Sequence, residues 1–320
     1  MRDPYLLYYS LRHGLSWNAP VDGRDIVIPF GRTGLRFVAR DLSARGIDEV
    51  WMPALICDVV PAAFEGFGIR VKYYPVLDDF SADTDWLSRQ GPKAGACPAK
   101  AGAFLYVTYF GLTRTAARGA AWARERGLVT IHDNAHGALS TPSAGPACPS
   151  DYYITSIGKM LGMRYGAILR VPEASYGTAL AARTACVLRI ELSNLLSMLP
   201  PSAGRLLRPV AAGAPGAGQA AAVLPSNPTS SLAWTFSNHE AVKVRRRRRY
   251  GQLMSLHNVE ASGPLALDAG DVPWIFPLVS AREPDPAAGE FRWPFLPAEV
   301  LGSSGKWPRW YREILALPVW

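Results

Sequence analysis

No apolar run in this sequence approaches the roughly 18–20 residues that a membrane-spanning helix needs. The opening MRDPYLLYYSLRHG has an early acid, only short apolar pieces and no small-residue cleavage site. It does not read as a signal peptide, so a cytoplasmic location is expected. Cysteine is scarce. Cys57, Cys97, Cys148 and Cys186 are scattered without CxxC spacing, which argues against a disulfide framework or a metal site and for reduced thiols. No internal repeat is present, and no DNA- or RNA-binding motif surrounds the single block of like charge, Arg245 to Arg249. That block continues the helical-looking HEAVKVRRRRRYGQLMSL and reads as the solvated face of a helix. A nucleic-acid partner would rest on it alone. The rest of the net charge of +8 comes from dispersed arginines, which suit an anionic small molecule at least as well as a polymer.

What is present is ordinary globular material. Of the 320 residues, 49% are hydrophobic and 19% charged, enough to bury the core of one large domain with a smaller companion. Residues 1–24 are aromatic-rich and irregular and read as a lead-in segment. DIVIPFGRTG then runs into LRFVARDLSARG, where Leu35, Val38, Ala39 and Leu42 recur at helical spacing. The stretch Gly31-Arg32-Thr33-Gly34 is therefore expected to be a loop that opens a helix. Unpaired N–H groups and the helix dipole favour an anion at such a place, although glycine before a helix is also common without one.

Beyond it, DEVWMPAL reads as a strand and CDVVPAAFEGFG as a helix that tolerates Pro61 and stops at Gly68. RVKYYPV and AFLYVTYFG read as strands, with a short helix around Asp83 to Arg89 between them. TAARGAAWARERG reads as a helix and LVTIHDN as the next strand. Strands alternating with helices imply a parallel sheet with crossover helices, in which ligands sit outside the carboxyl ends of the strands. After Pro172 a mostly helical segment gives way to a Gly/Ala/Pro-rich stretch that reads as a linker. A small α+β domain of helix, short strands and the tail WYREILALPVW closes the chain.

The stretch from Leu128 to Gly166 carries the chemistry. LVTIHDNAH ends in Asp133 and His136, and DYYITSIGKM brings Ser156 and Lys159. Singly, Asp133 reads as a turn residue, His136 as a half-buried histidine and Lys159 as a surface lysine. Together, an acid ending one buried strand and a lysine just past the next can hold a pyridine-ring cofactor. The acid faces the ring nitrogen and the lysine condenses with the aldehyde. Pyridoxal 5′-phosphate (PLP) is the expected cofactor.

In this order the segments resemble the DegT-type PLP-dependent enzymes, best known as sugar-nucleotide aminotransferases of the aspartate-aminotransferase fold. GRTGLRFVAR resembles the helix opening that holds the cofactor phosphate. EVWMPALICDVVPAAFEGFGIRVKYYPV and YVTYFG resemble the elements that follow. LVTIHDNAHGALS resembles the aspartate signature, and DYYITSIGKMLGMRYGAIL the serine and lysine segment. WPFLPAEV and ILALPVW resemble parts of the C-terminal domain. The likeness covers roughly residues 28–171 and, in patches, 240–320.

The resemblance implies a three-layer, mainly parallel PLP fold type I large domain (25–200), a linker (201–238) and a small C-terminal α+β domain (239–320). It implies a homodimer. It makes Lys159 the Schiff-base lysine, Asp133 the partner of the ring nitrogen, and His136 a neighbour of the ring oxygen. Thr33, Gly34 and Ser156 would hold the phosphate. Cys57 falls where the family places an aromatic against the ring, and Thr108 where it often has histidine. The implied activity is amino transfer from an amino acid to a keto acceptor, with a keto-sugar nucleotide as the expected acceptor. Other PLP chemistry, and a degraded family member serving as a dimer partner, remain as alternatives.

Overall fold

Apolar runs punctuated by glycine and proline become the strands of one seven-stranded sheet. The computed structural model describes residues 25–91, 102–141, 150–184, 187–198, 224–260, 262–303 and 306–320. The lead-in segment 1–24, residues 201–223 of the expected linker, and Cys97, Cys148 and Cys186 lie outside them. The strands are β1 (Asp25–Ile28), β2 (Glu49–Pro53), β3 (Arg70–Tyr74), β4 (Ala103–Val107), β5 (Val129–Asn134), β6 (Tyr152–Thr155) and β7 (Ala167–Arg170). Their spatial order is β1-β7-β6-β5-β4-β2-β3. Strands β3, β2, β4, β5 and β6 run parallel, whereas β7 is antiparallel to both its neighbours. Helices α1 (Gly31–Ala44), α2 (Thr84–Gln90) and α3 (Arg114–Glu125) are among those that cover the sheet. The mainly parallel three-layer architecture is thus the expected one.

Two local expectations need correction. The first is the opening of α1. Phe30 takes the extended N-cap conformation, so Gly31 to Gly34 form the first helical turn instead of a preceding loop. Leu35, Val38, Ala39 and Leu42 are all buried, as their spacing predicts. Gly34 belongs to the same buried face, where a Cβ would lie 3.1 Å from Ile28 and 3.6 Å from Leu169. The second concerns residues 57–68, which form no α-helix. A 3-10 turn over Pro61–Phe64 is followed by Gly66 and Gly68 at φ 81° and 71°. Proline inside a helix lacks the N–H and clashes one turn back, so Pro61 begins a turn here.

The C-terminal part brings two further differences. Residues 224–238, expected to be linker, contain a two-residue pairing of Leu224–Pro225 with Arg183–Thr184 and a helix, α7 (Pro228–Phe236). That helix follows α4 (Ile157–Leu161), α5 (Glu173–Ala181) and α6 (Leu188–Met198). Ser230 on α7 donates to the Tyr165 carbonyl at 3.1 Å, which packs it onto the main sheet. The long helix α8 (His239–Leu256), capped by the Asn238 side chain, carries the arginine run. Its expected solvated character fails at Arg246, which is 0% exposed, and at Arg247, which donates to the Asp268 and Asp271 carbonyls.

A three-stranded antiparallel sheet closes the fold. Its order is β8 (Ile275–Val279), β10 (Ile314–Pro318) and β9 (Phe291–Arg292), with the C-terminal tail as the central strand. Main-chain bonds dock this sheet on the large one. Trp274 N–H donates to Phe110 O at 2.8 Å and Asp58 N–H to Phe295 O at 2.8 Å. No helix among the described residues is long and apolar enough to cross a membrane.

Candidate active site

Parallel strands in register bring their carboxyl ends to one edge. Val107 on β4, Asp133 on β5 and Ile154 on β6 are register partners in succession, and all three line one cavity. His136, Ser156, Lys159, Cys57, Gly31 and Arg32 complete the part of the lining that matters most. The chain therefore gathers Asp133, His136, Ser156, Lys159 and Cys57 around a single pocket. Thr33 and Gly34 do not line it. With the helix opening at Gly31, the first two residues of α1 face the cavity, Thr33 N–H turns back to the Phe30 carbonyl, and Gly34 faces the sheet.

Each group has a distinct environment. Asp133 is 8% exposed, and its Oδ1 accepts the Ala135 N–H at 3.0 Å. Burial raises its pKa, against the opposing pull of that N–H and of the Lys159 charge. His136 Nδ1 accepts from Phe110 N–H at 3.3 Å, so the neutral ring carries its proton on Nε2. Burial, helped by Lys159, keeps the His136 pKa well below its ordinary value.

Lys159 sits in a helix of only five residues. Ser156 Oγ caps its N-terminus by accepting Lys159 N–H at 3.4 Å, and Gly162 ends it in the left-handed conformation. The Lys159 ammonium lies 4.4 Å from the centroid of Trp274, and the His136 ring stacks on the same indole at 4.2 Å. Cys57 is half-buried in the pocket wall. Burial pushes its thiol up, while the Lys159 charge pulls it down by less.

Several contributors escape sequence reasoning. Trp293 lines the pocket and Trp274 supports Lys159 and His136, yet both come from the C-terminal part of the chain. Arg164 and Arg32 line the pocket as well, the latter with its guanidinium 4.5 Å above the Phe30 ring. The phase of the helix was the available signal for Arg32. Counting the helix from Gly31 would have turned that side chain toward the strand ends.

The buried histidines make folding sensitive to acid. His132, hydrogen-bonded to Thr108 at 2.8 Å, has its pKa lowered to about 3 by burial, and His136 is also lowered from 6.5. Both stay neutral when folded, while the unfolded chain protonates them near 6.5. Stability should therefore fall below that pH by about 1.4 kcal/mol per pH unit for each ring. Asp133 acts in the opposite sense. Its raised folded pKa favours the protonated folded state, so it returns part of that stability at the acid end. Urea unfolding midpoints measured from about pH 7 to about pH 5 should drop steadily. A flat series would contradict the two neutral rings.

The fold is a three-layer α/β architecture with a pocket at the carboxyl edge of the parallel strands, the fold of the DegT-type aminotransferases. No family model matches the sequence, and no curated protein matches it in sequence. Solved structures do match. The aminotransferase TlmJ from Streptoalloteichus hindustanus is 16% identical, with 98% of this chain and 89% of that chain covered and a TM-score of 0.59. A DegT/DnrJ/EryC1/StrS aminotransferase from Brucella abortus is 17% identical, with coverages of 99% and 85% and a TM-score of 0.57. A GDP-4-keto-6-deoxymannose-3-dehydratase is 14% identical, with coverages of 99% and 88% and a TM-score of 0.58.

Proposed function

We propose that this protein is a PLP-dependent enzyme that moves an amino group from an amino acid to a keto acceptor, with a keto-sugar nucleotide as the acceptor class. One observation carries the reading: Asp133 and Lys159, at the ends of neighbouring parallel strands, meet in one pocket. The residues present fit the cofactor. A buried carboxylate suits a ring nitrogen that must stay protonated, and a half-buried primary amine suits its aldehyde. The Ser156 hydroxyl and the first turn of α1 offer donors for a phosphate. The aminotransferases among the structural neighbours support the same choice, and a neighbour solved with a ketimine intermediate and a dehydratase solved with a PLP–glutamate geminal diamine support the cofactor.

Bound PLP would supply an electrophilic aldehyde and an electron sink for the substrate carbon. The chain's own part is binding, orientation and proton handling. Lys159 Nζ is the amine that holds the cofactor and, once exchanged for the donor amine, the base that takes a proton and returns it. Asp133 holds a proton at the ring nitrogen by charge. The neutral His136 offers Nε2–H as a donor toward the pocket. Trp274 and Trp293 cover this side with apolar surface and limit water.

The test is spectroscopic. Protein mixed with PLP should gain a visible absorbance band that free PLP does not give, and added glutamate should shift it. A spectrum equal to the sum of the protein's and free PLP's, unchanged by glutamate, would sink the reading. The dehydratase among the neighbours favours elimination as the second reading. It would show as a spectral change with a donor but no aminated product.

A further inference from the structure

Among the described residues Arg246 is one of the largest fully buried side chains, and it belongs to a run whose charge reads as a solvated helix face. Its guanidinium fork reaches four main-chain carbonyls. Nη1 donates to Pro273 O at 3.1 Å and Trp274 O at 3.0 Å, and Nη2 to Lys159 O at 3.1 Å and Met160 O at 3.0 Å. The acceptors fall in two pairs. One pair lies in the short helix that carries Lys159. The other includes Trp274, whose indole face holds the Lys159 ammonium.

We propose that Arg246 is a positioning residue of the active site, fixing the backbones of Lys159 and Trp274 relative to each other and so placing the lysine amine. The inference rests on the reading of Lys159 as the amine that condenses with PLP. Helix α4 has five residues, too few to hold itself by its own hydrogen bonds, and its last carbonyls lack partners within the helix. Ser156 secures one end, and Arg246 the other. Burying a guanidinium carries a desolvation cost that an apolar side chain of similar volume would avoid, so filling space does not account for it. Only a planar fork of fixed donors can bridge two separate backbone segments at once, and a lysine ammonium cannot reproduce that geometry. Within the run Arg248 and Arg249 are exposed and Arg245 and Arg247 half-buried, so full burial is confined to Arg246, the position that reaches the Lys159 and Trp274 carbonyls.

The test measures the amine directly, apart from turnover. Protein is mixed with PLP, reduced with borohydride at intervals, and the modified lysines are quantified by peptide mass spectrometry. The exposed Lys72 and Lys306 serve as internal references. In wild type, Lys159 should be trapped much faster than the references. In Arg246→Lys its trapping should slow about tenfold or more, because small displacements of a reacting group cost large factors in rate. The reference lysines should not change. Trp274→Leu, which removes the indole platform without uncovering a buried charge, should slow Lys159 in the same way.

A folded Arg246→Lys that traps Lys159 within about twofold of wild type would show a merely structural arginine and overturn the proposal. If that variant does not fold, Trp274→Leu decides, and unchanged trapping there overturns it. Wild type that traps Lys159 no faster than the references would instead refute the cofactor reading, and the positioning role with it.

Discussion

Lys159→Ala is expected to abolish turnover, a loss of about 10⁴-fold or more, and to abolish the visible band formed with PLP. Both roles of the residue depend on the same nitrogen. Under the proposed function it would hold the cofactor and would be the amine that moves a proton at the substrate carbon. Alanine keeps the helix, since it has the highest helix propensity, and the Lys159 N–H still reaches Ser156 Oγ. The lost contact is the ammonium over Trp274, 4.4 Å from its centroid. Melting should therefore shift by no more than about 2 °C, which corresponds to roughly 1 kcal/mol in a chain of 320 residues. A spectrum, a turnover assay and a melting curve on one preparation suffice. Turnover at the wild-type rate would remove Lys159 from the mechanism and leave the pocket without its nucleophile.

Asp133→Asn should separate activity from stability. The side chains have the same shape, and the amide oxygen can still accept the Ala135 N–H that Asp133 holds at 3.0 Å. What disappears is the negative charge that the proposed function sets against the ring nitrogen. Loss of one preorganised electrostatic partner typically costs 10²–10³-fold in kcat, and a fall of about that size is expected. Folding should respond differently. Burial raises the Asp133 pKa, so in the folded protein without cofactor the ionised carboxylate is under strain near neutral pH. Asparagine removes that cost, and the apoprotein should be as stable as wild type or more so at pH 7, by up to about 1 kcal/mol. The advantage should shrink in acid, where the folded wild type can protonate Asp133. Paired urea unfolding and kcat measurements test both halves. A variant with wild-type kcat would take Asp133 away from the ring nitrogen, whereas a large loss of apoprotein stability would make it a structural residue.

The Asp133–Lys159 pair was legible because local rules place both ends of it. LVTIHDN and DYYIT are apolar strands of a parallel sheet, and such strands deliver their last residues to a common edge. The opening of α1 was harder to read. Whether Gly31 to Gly34 are a loop or the first turn depends on Phe30 taking the extended N-cap conformation, which composition does not reveal. A shift of this kind changes which residues face the pocket, so Arg32 lines it and Thr33 does not. The turn at Pro61 was signalled by the proline itself, and the apolar spacing around it argued for a helix that its missing N–H cannot support.

The sequence by itself determined the alternation of strands and helices, the strand ends that hold Asp133 and His136, and the serine cap beside Lys159. Those depend on periodicity, breakers and capping, which act over a few residues. Tertiary structure decided what surrounds them. Trp274, Trp293 and Arg246 reach the site from the C-terminal part of the chain, with Arg246 separated from Lys159 by 87 positions. Helical spacing marks Arg246 within its run, on one face with Val242, Tyr250 and Leu253, but it does not show what the guanidinium meets. Burial of that one guanidinium follows from how α8 packs against the lysine helix and the Trp274 segment, where four carbonyls need a donor.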